Sequence, residues 1–297
     1  FSSSSSSSSS AAAAAKVLME NIFKSPDDES CTVTKITLNH PKANAMGKEM
    51  IQELQNCLDI LEGRENAENV PGTNELERQD AVGCRCIVLT SFSERVFSAG
   101  ADLKERATMN EDEAADFVTL LRNTMERFAS LPMPVIAAVE GVAVGGGFEL
   151  ALAADIRIAS AKAVLGLPET SLAIIPGAGG TQRLPRLIGP SRAKELIWTG
   201  RKLSGREAME YGLVTDVVPA GQSATEHAME LAFQIAANGP VAIRASKAAI
   251  DKGGQTTCMK EALEIERQCY AKVLPTQDRL EGLMAFKEGR KPSYTGR

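Results

Sequence analysis

Along the chain, apolar positions recur first in short strand-like runs and later at helical spacing. Residues 16–23 and 32–38 are rich in β-branched and aliphatic side chains and read as two strands joined by a polar turn over 25–30. Met50, Ile51, Leu54, Leu58 and Leu61 fall on one face of a helix predicted over 48–62. Residues 63–83 are polar, contain Pro and Gly, and read as a surface insertion. An alternation follows. Residues 86–89 form a buried strand, 97–102 a strand running into a loop, 112–130 a helix and 135–139 a strand. A glycine-rich stretch leads into a helix from about 146 to 154, and 156–159 is again a strand. This rhythm predicts an α/β layered core. After about Pro190 the pattern turns mainly helical, with helices over 191–199, 205–211, 223–238, 240–252, 257–272 and 276–288. Gly212, Gly239 and Gly253-Gly254 act as stops. The expected organisation is a low-complexity leader (1–15), a core (16–200) carrying the insertion at 63–83, and a helical region (201–297).

Composition narrows the chemistry. The 297 residues include 38 Asp+Glu against 33 Lys+Arg, a formal net charge of −5, and two histidines. That balance argues against a general binder of nucleic acid or anionic membrane. His40 and His227 are too few for a multi-histidine metal site, and neither stands in a convincing nucleophile context. The six cysteines contain no Cys-x-x-Cys pair. Cys84 and Cys86, at strand period, are expected on one face. Reduced, mostly buried thiols in an intracellular compartment are the expectation. No apolar run approaches the ~18 residues of a membrane span. The leader, Phe followed by Ser and Ala, has almost nothing to bury and is expected to be disordered. It resembles the tail of an organellar transit peptide without the usual arginines, or else a low-complexity extension.

Two segments carry candidate chemistry. In the first, residues 141–155 (GVAVGGGFELALAAD), three glycines at a helix start allow close backbone approach by a ligand. The free N–H groups and positive dipole end there suit an anion, whether phosphate or developing oxyanion. Neither nucleotide-loop signature fits, so tight helix–sheet packing is the competing explanation for the glycines. Glu149 tilts the balance: it has no polar companion on this helix before Asp155, and a carboxylate in apolar sequence is costly to bury without a partner or a task. In the second segment, residues 166–183 (GLPETSLAIIPGAGGTQR), Glu169 also stands in largely apolar sequence. Two such acids suggest a general acid/base pair in unlike environments; a loop acid facing water is the plainer reading of Glu169.

Taken together, residues 97–104 (FSAGADLK), 135–141 (VIAAVEG), 145–149 (GGGFE), Pro168-Glu169 and 175–184 (IPGAGGTQRL) resemble the crotonase (enoyl-CoA hydratase/isomerase) superfamily. The likeness runs from about residue 17 to the C-terminus. Residues 100–107 (GADLKERA), 172–177 (LAIIPG), Cys269-Tyr270, 275–287 and 294–297 are most similar to its mitochondrial methylglutaconyl-CoA hydratase branch. The resemblance implies an α/β spiral of ββα turns with a helical C-terminal trimerisation region, assembled as a homo-trimer or dimer of trimers. It implies a lyase that adds water syn across the 2,3 double bond of short or branched 2-enoyl-CoA thioesters, 3-methylglutaconyl-CoA among them. The alternatives are Δ3,Δ2-enoyl-CoA isomerase and an RNA-binding protein with secondary hydratase activity.

By the same resemblance, Ala101 and Gly146 supply the two oxyanion N–H groups. Glu149 (base) and Glu169 (acid) clasp one water, and Gly177 N–H helps orient it. Lys42 and Ala43 lie near the nucleotide end of coenzyme A. Ala99 and Asp102 border the adenine, Leu103 and Lys104 the thioester channel, and Phe286 reaches a neighbouring subunit's ligand. A basic residue common after Phe286 in the family falls here on Gly289, with Lys287 or Arg290 as substitutes. No cofactor is implied beyond the coenzyme A of the substrate, no metal, and a mitochondrial-matrix or otherwise cytoplasmic location. The branch's RNA binding goes with a lysine-rich face. Here the matching helix carries Gln52, Glu53, Asn56, Asp59 and Glu62, which argues against nucleic-acid binding. The insertion adds Glu65, Glu68, Glu75, Glu77 and Asp80 against Arg64 and Arg78. Acyl preference is expected from residues about 105–130 and the C-terminal helices. Arg106 or Arg122 could bind a second carboxylate, but the usual exposure of Arg favours solvated helix residues.

Overall fold

The computed structural model of the chain describes residues 16–23, 32–41, 43–63 and 83–297. The expected leader, the turn over 25–30, nearly all of the 63–83 insertion, and Lys42 lie outside the described residues. Strands β1 (Val17–Phe23) and β2 (Thr32–Leu38) pair antiparallel, in register from Val17 opposite Leu38. Helix α1 (Lys48–Leu61) follows and buries Met50, Ile51, Leu54, Leu58 and Leu61, the stripe its spacing predicts.

A spiral of ββα turns comes next. The first turn is β3 (Cys86–Ser91), β4 (Val96–Ser98), the short α2 (Leu103–Arg106) and the long α3 (Glu111–Ser130). The second is β5 (Val135–Val139), β6 (Val142–Val144) and α4 (Gly146–Ala153). The third is β7 (Ile156–Ser160), β8 (Val164–Gly166), a 3₁₀ turn at Glu169–Leu172, α5 (Gly180–Ile188) and α6 (Pro190–Thr199). Each turn gives its first strand to one sheet and its second to another. The six-stranded sheet runs β1-β2-β3-β5-β7-β10 and the four-stranded sheet β4-β6-β8-β9, where β9 is Leu203–Ser204 and β10 is Asp216–Val218. Apart from β1/β2 and β8/β9, the pairings are parallel.

Parallel strands covered on both faces need unbroken apolar runs, which is why β3 and β5 show no polar alternation. Ile87, Leu89, Val135, Ala137 and Val139 enter the main core between the two sheets. Cys86, Val88, Ile136 and Ala138 face the other way, toward Ala224, Ala228, Ala232 and Ala236 of α8 (Ala224–Ala236). Alanine at every fourth position lets that helix lie close on the sheet. Cys84 and Cys86 do not share a face as expected: Cys84 precedes the strand, so the two-residue period does not reach it, and it sits in the main core.

Beyond residue 200 the chain is not purely helical. β9 and β10 close the two sheets, with α7 (Gly205–Glu210) between them. The last helices, α9 (Pro240–Gly253), α10 (Met259–Ala271) and α11 (Gln277–Glu288), each bury only one or two residues. No helix among the described residues is long and apolar enough to cross a membrane.

Helix α4 is buried at every position, held between α3 and α5 and against β4 and β6. Its close approach to β4 depends on Gly147, where a Cβ would fall 2.6 Å from the Ser98 Cβ and 2.7 Å from its Oγ. Gly147→Ala is therefore expected to lower unfolding free energy by ~1–3 kcal/mol. Gly253→Ala, whose Cβ would meet Ala262 at an ordinary 3.8 Å, should change it by less than ~1 kcal/mol. Urea unfolding of both variants beside the parent checks the contrast; equal stabilities would show that the helix–strand contact can relax.

Candidate active site

The cavity is built from the ends of β4, β6 and β8. A parallel bridge joins Met46 to Ala101, with Met46 N–H donating to Gly100 O (2.8 Å) and Asp102 N–H to Met46 O (3.2 Å). These bonds flank Ala101 and leave its own N–H outside the ladder. Asn44 anchors the partner loop from below: its Nδ2 donates to Phe97 O (2.9 Å) and Ser91 Oγ (2.8 Å), and its O accepts from Ser98 Oγ (2.7 Å).

Gly100 and Gly145 both hold positive φ, +84° and +54°. A Cβ on Gly100 would crowd Val144 O at 2.8 Å and Gly146 N at 3.1 Å. The two loops therefore meet backbone to backbone, which only glycine permits. Gly146 is the first residue of α4, so its N–H is one of the helix's unsatisfied donors, at the positive end of the dipole. A Cβ on Gly146 would stand 3.7 Å from Ala101 N. The two amides expected to form an oxyanion site are thus neighbours across the loop junction.

Glu149, one turn into α4, is 3% exposed. Its Oε1 accepts N–H bonds from Ala178 and Gly180, both 2.8 Å. Gly180 opens α5, so a second helix N-terminus holds this carboxylate. Burial pushes the Glu149 pKa up, while the Gly180 and Ala178 bonds oppose the rise. With Oε1 committed, Oε2 is the oxygen available to the cavity that Glu149 lines.

Glu169 starts the 3₁₀ turn after β8. A Cβ on Gly145 would meet its Oε1 at 3.4 Å, which places the carboxyl over the start of α4. Its Oε2 is buried with no hydrogen-bond partner among the described residues. Burial, with the Glu149 charge adding to it, pushes its pKa up to about 7. One cavity of about 250 Å³ is lined by Ala101, Gly146, Glu149, Glu169 and Gly177, so the fold brings together every residue expected at the reacting centre. Ala99 and Leu103 line it as well.

The remaining expected contacts disperse. Ala43 is exposed, and Ala43 O accepts from Ala99 N–H (3.0 Å), joining those two positions. Asp102 caps α2, accepting from Lys104 N–H (3.0 Å) and Glu105 N–H (3.2 Å), and Lys104 is exposed. Phe286 stands on α11, 89% exposed. Gly289 ends that helix at φ +66°, the left-handed cap that favours glycine over a basic residue. Arg290 pairs with Glu281 and Glu288, which leaves Lys287 as the substitute without an ion pair among the described residues. The Ala178 and Gly180 donors had no side-chain signal to betray them. Their one trace was the Gly179-Gly180 pair, which reads as a turn and is also a helix start.

The family model described as enoyl-CoA hydratase/isomerase matches residues 28–297. A crystal structure of enoyl-CoA hydratase from Bacillus anthracis superposes with a TM-score of 0.81 at 48% identity, covering 94% of this chain and 99% of that one. Enoyl-CoA hydratase domain-containing protein 2, mitochondrial, of Mus musculus is 45% identical over 89% of this chain and 85% of that protein. Methylglutaconyl-CoA hydratase, mitochondrial, of Homo sapiens is 45% identical over 85% of this chain and 70% of that protein. With its ββα spiral and this breadth of match, the chain belongs to the enoyl-CoA hydratase/isomerase, or crotonase, family and is an enzyme of the hydratase (lyase) type.

Proposed function

We propose that the enzyme adds water syn across the 2,3 double bond of short or branched 2-enoyl-CoA thioesters, with 3-methylglutaconyl-CoA a candidate suggested by the human relative's name. One observation carries this reading: two carboxyls in unlike environments face one cavity beside two neighbouring backbone amides. Ala101 and Gly146 N–H groups hold the thioester oxygen as it gains enolate charge. Glu149, with one oxygen braced by two amides that oppose the burial-driven rise of its pKa, is the base that takes the proton of the attacking water. Glu169, with an unpartnered buried oxygen, carries the proton delivered to the α carbon. Gly177, on the cavity wall, is placed to orient the water. In dehydration the two acids exchange roles.

The same reading covers assembly and location. The last three helices expose Ile250, Met259, Leu263, Tyr270, Leu283 and Phe286, an apolar surface that suits a homo-oligomer interface. The Ser/Ala leader and the mitochondrial names of two relatives support a mitochondrial-matrix site.

Hydration of crotonyl-CoA, followed as loss of enoyl-thioester absorbance, tests the chemistry. Glu149→Gln and Glu169→Gln are each expected to lower kcat ~10²–10⁴-fold, with unchanged far-ultraviolet circular dichroism. Full activity in both variants would refute the proton-transfer roles. The pH profile gives an independent check. Because hydration needs Glu169 protonated, kcat/KM should fall as pH rises through about 7. Dehydration uses the same singly protonated pair with the proton on Glu149, and the reaction exchanges no net proton with solvent, so its kcat/KM should fall over the same interval. A profile for hydration that is flat from pH 6 to 8 would remove Glu169 as the acid.

A further inference from the structure

Helix α3 meets the turn after the 3₁₀ segment at two positions one helical turn apart. Val118 packs against Gly177, where a Cβ would fall 2.8 Å from Val118 Cγ1. Arg122, four residues on and therefore on the same face, donates from Nε to Gly177 O (3.1 Å). Two other arginines nearby are tied to acids, Arg127 to Asp59 and Glu62 and Arg183 to Glu126. Arg122 directs its Nε at a carbonyl instead.

That carbonyl belongs to a peptide group that braces Glu149. Gly177 C=O and Ala178 N–H are the two ends of one planar unit, and Ala178 N–H donates to Glu149 Oε1 (2.8 Å). Arg122 and Glu149 thus stand at opposite ends of a single peptide, a cation on its oxygen and a carboxyl on its N–H. Hydrogen bonds to charged groups are the stronger ones, and bonds in series polarise one another. Gly177 has no Cβ to oppose rotation of this peptide. Turned over, the peptide would present a carbonyl oxygen to Glu149 in place of its N–H. The next peptide is held in the same manner, with Arg183 Nη1 on Ala178 O (3.1 Å). The charged groups felt at Glu149 are Arg183 from α5 and Arg122 from α3, while Glu169 from the 3₁₀ turn is coupled to it. Burial pushes the Glu149 pKa up; the Gly180 and Ala178 bonds and then the two arginine charges oppose the rise.

We propose that Arg122 is a positioning residue for the base: by holding Gly177 O it fixes the Gly177–Ala178 peptide with its N–H on Glu149 Oε1. It touches no reacting atom and acts through the turn. The proposal rests on the hydratase reading, and the two fail separately.

The test measures crotonyl-CoA hydration against pH in the parent, Arg122→Met, Arg122→Lys and Arg127→Gln. The Met variant keeps an unbranched stem but neither donor nor charge. Its kcat is expected to fall ~10-fold at pH 7, with KM within ~2-fold of the parent because the lost contact is not to substrate. The acid limb of its kcat/KM profile should move to higher pH, since Glu149 then holds its proton more tightly. Arg122→Lys, with charge but without the planar fork, should recover part of the rate. Arg127→Gln unties the same helix from Asp59 and Glu62 without touching the turn, and should leave kcat and the profile as in the parent. An unchanged profile in Arg122→Met, a raised KM at unchanged kcat, or the same displacement in Arg127→Gln overturns the proposal. Carbon-13 NMR of the Glu149 carboxyl, assigned by comparison with Glu149→Gln, reads the clamp without substrate. Its midpoint should rise in Arg122→Met, and an unmoved midpoint overturns the proposal. If the parent does not hydrate crotonyl-CoA, the hydratase reading fails and the carboxyl titration still decides the role of Arg122.

Discussion

Glu149 Oε1 accepts the N–H groups of Ala178 and Gly180, and these two bonds join the buried centre of the fold to its third spiral turn. Helix α4 has no exposed face, so an unbraced carboxylate in its first turn would cost several kcal/mol. The remedy dictates the geometry around it. The chain from Ala173 to Gly180 must double back until α5 starts against α4. It does so through left-handed residues at Ala173 (φ +58°) and Gly179 (φ +110°), with Arg183 Nη1 donating to Ala178 O (3.1 Å) to hold the turn. The same turn supplies Ile174, Ile175 and Gly177 to the cavity wall. The bonds that make Glu149 tolerable therefore also shape the space in which it acts.

Much of this was legible in the sequence, and the limits have physical causes. Long elements with a buried stripe, such as α1 and α3, declare themselves through spacing. Helix α8 likewise falls inside the predicted helix over 223–238. The strands β6, β8, β9 and β10 span three residues or fewer, too short for any period to show. Two of them lie past residue 200, where the surrounding helices mask them. Helix α5 was hidden by its own first residue, because a glycine pair signals a turn more strongly than a helix start. Glu149 was recognisable because its helix offers no other polar side chain. Its braces were not, because backbone donors leave no mark in the letters. Glu169 read equally well as a solvated loop acid, and only the approach of Gly145 and Glu149 shows what its environment is.

For the arginines the expectation of solvent holds at Arg122, while Arg106 is half-buried. General habits of exposure favour solvent for Arg106 and Arg122. Arg122 is indeed exposed at its own residue. Residue-wise exposure cannot distinguish a side chain facing bulk water from one facing a chamber, since both count as accessible. What separates the two cases is the company kept: among the described residues Arg127, on the same helix, is satisfied by two acids, whereas Arg122 donates to the backbone carbonyl of Gly177.

These features explain how a chain with an excess of acids can build a site for developing negative charge. The α4 N-terminus faces the junction of the two loops, the α5 N-terminus braces one candidate catalytic carboxyl, and Arg106 lines the same cavity. The two helix N-termini contribute backbone dipoles, which are fixed by folding and need no reorganisation as charge appears. Among the described residues neither Arg106 nor Arg122 pairs directly with Glu149 or Glu169, although Arg122 is felt at Glu149 and Arg106 at Glu169. That separation matters for the proposed chemistry, because a salt-bridged Glu169 would be held ionised and lose its proton-carrying role. That the two acids meet no cation directly among the described residues is thus as much a part of the site as the proximity of the two amides.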